Sequence, residues 1–270
     1  MIADSITDFV PCPDIAPPLK KTIIAPPLTN SQIKKKATKK VTGYVIYEGP
    51  SLLDGSPIVV IMTGLGGSKN RKTGEVAQTW IMRSDMTPIE AFKIGADSTV
   101  CGNCPYRWSL YVKNSGAPRC YVNLGQAPLS IYKAYKRGSY PALPLDYTLP
   151  PGMGLRLGSY GDPVAVPMKA WKSLIDSASF HLAYTHQWKE FPVQSAPYKG
   201  LCMASVGNAL EALQAVKLGW KFFRVESAPA PIGLELNCPS DKATHGEHIR
   251  QCEACKLCNG SKASIWITPH

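Results

Sequence analysis

The chain has 270 residues, 44% of them hydrophobic, with six tryptophans and twelve tyrosines. That is enough apolar side chain for one large domain or two small ones, and it excludes a chain disordered throughout. The formal charge of +11 favours polyanionic partners through counterion release. No apolar stretch reaches the roughly 20 residues that span a bilayer, which excludes a helical membrane anchor in this sequence.

Residues 1–40 carry seven lysines against Asp4, Asp8 and Asp14, a net +4 that leaves +7 for the rest. Repeated prolines break helices there, so the segment reads as a flexible basic arm. Its first residues lack a basic stretch followed by an apolar run, so no secretory signal is expected. A reducing cytosol follows, where the nine cysteines are expected as metal ligands or buried thiols rather than disulfides.

Strands are predicted at 42–47, at the β-branched run 57–62 and at 75–83, with a short helix over 88–95. Beyond residue 150 strand and helix alternate. Strands are expected at 154–158, 180–185, 200–206, 220–225 and 233–236, and helices at 164–177 and 209–218. Asn208 stands as the N-cap of the second helix and Gly219 follows its end. Leu210, Leu213 and Val216 fall at helical spacing. This alternation argues for parallel βα units and an α/β fold, a complete or partial (β/α) barrel. The expected divisions are the arm 1–40, an N-terminal part 41–150, a βα-repeat part 151–237 and a Cys-rich segment 238–270.

Polar residues gather just after the predicted strands. They are Ser159, Tyr160 and Asp162; Tyr184, His186, Gln187 and Trp188; Ser205 and Asn208; Arg224 and Glu226. In parallel α/β folds such positions converge at the carboxyl ends of the strands, where sites form. His186 is the expected acid/base group, Asp162 its partner or a substrate ligand, and Arg224 an anion clamp.

Cysteine spacing is the strongest signal. Cys101 and Cys104 form a C-x2-C knuckle followed by Cys120, while Cys238 precedes the run Cys252-x2-Cys255-x2-Cys258. Two intervening residues let both thiolates face one ion across a tight turn. The second set completes four thiolates, suited to tetrahedral zinc or to a [4Fe–4S] cluster. The first set has three, and its fourth ligand is open: a His, Cys202, Cys12, a water or a substrate. Three protein ligands with an open position is the pattern of a catalytic metal. His245 and His248 flank the second set as further candidate ligands.

A glycine-rich basic turn at 64–74 could cradle a phosphate, although it fits neither the P-loop nor the dinucleotide spacing. In residues 130–140, Tyr132 and Tyr135 alternate with Lys133, Lys136 and Arg137. Together with Lys34, Lys35, Lys36, Lys39 and Lys40 these form the expected nucleic-acid surface.

Several blocks resemble a family of tailed-bacteriophage proteins with no assigned activity. They are residues 47–64 (YEGPSLLDGSPIVVIMTG), 70–80 (NRKTGEVAQTW), 101–107 (CGNCPYR), 120–128 (CYVNLGQAP), 156–167 (RLGSYGDPVAVP), 184–188 (YTHQW) and 252–260 (CEACKLCNG). The resemblance covers residues 42–260 and implies expression in the cytoplasm of an infected bacterial host. The second half is also similar in pattern to radical S-adenosylmethionine barrels, although their C-x3-C-x2-C motif is missing here. The expected function is a metalloenzyme acting on nucleic acid or nucleotide through zinc or an iron–sulfur centre. The alternatives are a zinc-stabilised protein binding nucleic acid or a host protein, and an inhibitor of a host protein.

Overall fold

The structure, a computed structural model, describes residues 41–66, 73–113, 120–226, 233–247 and 249–269. The chain divides into two units, Met1–Lys40 and Val41–His270, and the described residues all lie in the second. The expected nucleic-acid lysines Lys34, Lys35, Lys36, Lys39 and Lys40 therefore lie outside the described residues, as do Cys12, His248 and the basic part of the glycine-rich turn.

Three strands open the second unit as an antiparallel meander: β1 (Gly43–Pro50), β2 (Pro57–Thr63) and β3 (Val76–Arg83). The apolar run of β2 is buried on both faces, which is why its sequence does not alternate. From β3 the direction becomes parallel through β4 (Gly154–Tyr160), β5 (Phe180–Thr185), β6 (Met203–Val206) and β7 (Phe222–Val225). β8 (Glu235–Asn237) lies at the far edge, and β9 (Ser264–Ile267) inserts between β7 and β8, parallel to both. The result is one nine-stranded, largely parallel sheet in a mixed α/β fold, and no pairing joins β1 to β8 among the described residues. The sheet runs unbroken across the expected divisions at 150 and 237, because β3 pairs with β4 and β8 with β9.

Four helices fill the long crossover from β3 to β4: α1 (Pro88–Ile94), α2 (Ser98–Cys101), α3 (Trp108–Lys113) and α4 (Ala127–Lys136). α1 starts at a capping box in which Thr87 and Glu90 satisfy each other's backbone N–H, and it stops at Gly95 in the left-handed region. α5 (Met168–Ser177) joins β4 to β5, α6 (Pro192–Ser195) joins β5 to β6, and α7 (Ala209–Lys217) joins β6 to β7. α8 (Lys242–His245) and α9 (Cys252–Cys255) lie between β8 and β9.

Several predicted elements begin later than expected, two of them most clearly. The helix predicted from residue 164 starts at Met168, because Pro163 and Pro167 restrict the backbone before it to one 3-10 turn capped by Asp162. The strand predicted at 200–206 is confined to β6. In α7 the Asn208 side chain accepts from the Glu211 N–H, as its sequence position predicts. Its buried face, however, is Ala212 and Ala215, while Leu210 and Leu213 are 79% and 49% exposed. Only small side chains fit where this helix meets the sheet.

Two cores lie on the two faces of the parallel strands. Leu155, Leu157, Ala183, Ala204 and Phe222 face the core that holds Trp171 and Leu174 of α5 and Ala212 and Ala215 of α7. Leu182 and Ile265 belong to a second core with Cys238 and Cys258, against which Tyr184, Phe223 and Val225 pack. The two-residue period of a strand makes this division.

Candidate functional site

A cavity of about 920 Å3 lies on the second of these faces. Neighbouring strands line it: Arg156, Gly158, Ser159 and Tyr160 of β4, Leu182 and Tyr184 of β5 with His186 beyond it, and Phe223 and Val225 of β7. Asp162, Ser205 and Glu226 reach it from the strand ends, as the sequence predicts. Both cysteine sets open onto this one cavity: Cys101, Cys104 and Cys120 from the β3–β4 crossover, and Cys238, Cys252, Cys255 and Cys258 from the C-terminal segment.

The C-terminal set is fastened to the sheet by backbone and carboxylate bonds. Ala183 N–H of β5 donates to the Cys258 carbonyl, and Glu253 N–H donates to the Thr73 carbonyl. The Glu253 Oε2 accepts from the Glu75 N–H at 2.6 Å. Asp241, just after Cys238, accepts from both the backbone and the hydroxyl of Thr268, from the Asn237 amide and from the Thr244 hydroxyl. These bonds hold its carboxyl well below the usual carboxylate range.

The knuckle of the first set is held by the segment after β5. The buried Gln187 donates from Nε2 to the Cys101 carbonyl at 2.9 Å and to Asp162 Oδ2 at 3.1 Å, and its Oε1 accepts from the Asn103 N–H at 3.1 Å. Gly102 lies between, with φ 53° and ψ −129°, and a Cβ there would stand 2.2 Å from Gln187 Oε1. Only glycine fits this approach.

The eight described cysteines are free thiols. Among the described residues no three His, Cys, Asp or Glu side chains converge at metal-ligating spacing. The donor set nonetheless fits a thiophilic ion in its chemistry. Cys104 receives a hydrogen bond from the Tyr106 N–H and Cys120 from the Val122 N–H, in each case two residues on. Tyr184 bonds to Cys258. Such donors favour a thiolate. Against them, burial pushes the Cys104 and Cys258 thiols up to about 12, and nearby cysteines add to the effect. Burial likewise raises Cys101 and Cys120. A bound cation reverses that balance and deprotonates coordinating thiols outright. Cys202 lies in the main core, away from the cavity. His245 does not line the cavity either.

The three expected catalytic residues part company. The His186 ring lies on the cavity, edge-on to Tyr106 with centroids 5.8 Å apart, and burial lowers it to about 4. It is therefore neutral at pH 7, and burial makes it a weak base. Asp162 is not its ring partner. Its Oδ2 accepts from the His186 backbone N–H at 2.8 Å and from Thr185 Oγ1 at 3.1 Å, and Oδ1 accepts from the Val164 N–H at 3.0 Å. Burial raises this carboxyl. Asp162 thus ties β4, β5 and the knuckle together.

Arg224 points away from the expected clamp role. Its guanidinium is fully buried and pairs with Glu235 and Glu226, so its donors are spent inside the protein. The expected stacking surface is also altered. Tyr132 is buried, with only 5% exposed, and Tyr135 donates to Glu48 at 2.5 Å. Lys133, Lys136 and Arg137 remain exposed on and after α4.

Arg156 escaped sequence reasoning. It enters the cavity from β4, donates to the Tyr121 hydroxyl, and its Nε is inaccessible to solvent and without a hydrogen-bond partner. The one available signal was strand alternation, which puts Arg156 on the face away from the buried Leu155 and Leu157.

No family model matches the chain, and no curated protein or solved structure matches it. Fold and site together describe a mixed α/β protein with a cysteine-lined cavity on one face of a largely parallel sheet. Among the described residues no helix is long and apolar enough to cross a membrane.

Proposed function

We propose that the chain is a cysteine-ligated metalloenzyme, encoded by a bacteriophage and acting in the cytoplasm of the infected host on a nucleotide or nucleic acid. Cys101, Cys104 and Cys120 would hold a reactive zinc ion or [4Fe–4S] cluster with one position open to the cavity. Cys238, Cys252, Cys255 and Cys258 would hold a second, structural centre. The observation that carries the reading is the meeting of seven cysteines from two distant segments on one cavity that also receives His186. The bound centre would supply Lewis-acid or redox chemistry, and His186 would be the acid/base group beside it. The same reading takes the parallel run from β3 to β8 as a partial barrel around the cavity, with the Cys-rich segment as its cover.

Burial of Tyr132 and the Tyr135–Glu48 bond weaken the alternative of a zinc-stabilised protein that binds single strands by stacking on α4.

Metal and acid-labile sulfide analysis of protein purified without oxygen tests the proposal. Iron with sulfide, or one to two zinc ions, is the expected result. Protein that is folded yet holds no metal, even after anaerobic reconstitution with zinc or with iron and sulfide, would sink it.

A further inference from the structure

Arg156 stands in the cavity wall as a cation with no carboxylate partner among the described residues. A guanidinium withdrawn from water is costly unless it is paired. Arg224, the fully buried arginine of the sheet, has two glutamates, whereas Arg156 is half-buried at the cavity wall with its Nε shut off from water. Arg156 forms no ion pair among the described residues. Its one side-chain hydrogen-bond partner is a neutral phenol, Tyr121, its Nε has none, and Cys120, Cys252 and Tyr184 lie near enough to act on its charge. The carboxylates that line the same cavity are engaged elsewhere: Asp162 with Val164, Thr185, His186 and Gln187, and Glu226 with Arg224. Two more basic residues, Arg250 and Lys256, line the cavity from the Cys-rich segment. Much of the remaining wall is apolar, with Leu182, Phe223 and Ile265.

We propose that Arg156 anchors an oxyanion pocket, and that the cavity takes an organic anion whose phosphate or carboxylate head meets the guanidinium while its body lies against Leu182, Phe223 and Ile265. A fork of N–H donors matches the lone pairs of such a head. The apolar wall favours an organic body over a bare inorganic ion. The inference rests on the proposed function only in taking this cavity as the substrate site; bound metal is not required for it.

The test is calorimetric titration of the full chain at fixed salt, with metal content measured on each sample. Adenosine monophosphate represents the phosphate head and 3-phenylpropionate the carboxylate head. Binding of at least one probe is expected, weakened tenfold or more in Arg156→Gln and less in Arg156→Lys, with metal content unchanged. The probe that binds identifies the head group. Should Arg156→Gln fail to fold, the wild-type Nε–H resonance of Arg156, assigned through Arg156→Lys, is expected to shift on adding that probe. Failure of both probes to bind the wild type, equal binding by Arg156→Gln, or a resonance that does not move overturns the proposal. Loss of metal rather than of binding in Arg156→Gln also overturns it, since Arg156 would then balance thiolate charge. Arg156-dependent binding by a protein that holds no metal would instead refute the metalloenzyme reading and leave this one standing.

Discussion

Gln187 and Cys101 are 86 positions apart, yet the Gln187 amide donates to the Cys101 carbonyl at 2.9 Å and grips the next turn through the Asn103 N–H. One primary amide thus fixes the backbone of a C-x2-C knuckle. It can do so because it offers a donor and an acceptor from one planar group.

Replacing Gln187 by Ala removes the acceptor of the Asn103 N–H, while the Cys101 carbonyl keeps the Cys104 N–H and Asp162 Oδ2 keeps Thr185 and the His186 N–H. The expected loss is about 1–3 kcal/mol in total, read as a lowered urea midpoint. Metal at the first centre is expected to fall while the C-terminal centre keeps its stoichiometry. Gly102→Ala should behave similarly, because the new Cβ would collide with Gln187. Full stability and full metal content in both variants would show that the grip is incidental.

His186 gives the fold an acid sensitivity of known sign. Its folded value, about 4, lies below the ordinary 6.5 of histidine. Between these values the unfolded chain binds a proton that the folded chain refuses, so stability falls as pH drops from about 6.5 to about 4 and then levels off. Asp162 works the other way, since a raised carboxyl gains stability on acidification. The difference between wild type and His186→Gln isolates the histidine. That difference is expected to reach up to about 3 kcal/mol by pH 4, at about 1.4 kcal/mol per pKa unit. Parallel pH profiles for the two proteins would contradict it. In an activity assay, His186→Ala should abolish turnover with metal content and folding intact; loss of folding would mark the residue as structural.

The Arg224–Glu235 pair is buried at both ends, with side chains 1% and 0% exposed. Glu235→Ala strips a buried guanidinium of its main partner, for an expected cost of about 3 kcal/mol or more. The double variant Arg224→Met with Glu235→Leu should recover most of that loss, because the desolvation of both charges disappears as well. Catalytic loss in Glu235→Ala without any loss of stability would return Arg224 to the role of an anion clamp.

On α7, Leu213→Gln should change stability by no more than about 0.5 kcal/mol, as for most surface positions. Ala215→Leu should cost about 1–3 kcal/mol by overpacking the sheet contact. The reverse order in thermal unfolding would restore the leucines to the core.

Local instructions were written in neighbouring residues and could be read there. The Asn208 cap, the Gly219 stop and the buried run of β2 each depend on atoms a few positions apart. The two-residue knuckle between Cys101 and Cys104 is of the same kind. Alternation of strand and helix likewise sufficed for a parallel α/β arrangement and for a site drawing on strand ends. The choice of face on α7 was not available in this way. The spacing of Leu210, Leu213 and Val216 is helical, but the sheet's close approach, set by the packing, selects Ala212 and Ala215 instead. Nor could spacing place four-residue β9 between β7 and β8, since that depends on edge pairing beyond the Cys-rich loop. Only tertiary structure brought both cysteine sets to one cavity, gave Arg224 its glutamates, left Arg156 without a carboxylate and set Gln187 against the knuckle. Those relations join residues far apart in the chain, and their energies come from burial and complementary charge, which exist only once the strands have found their register.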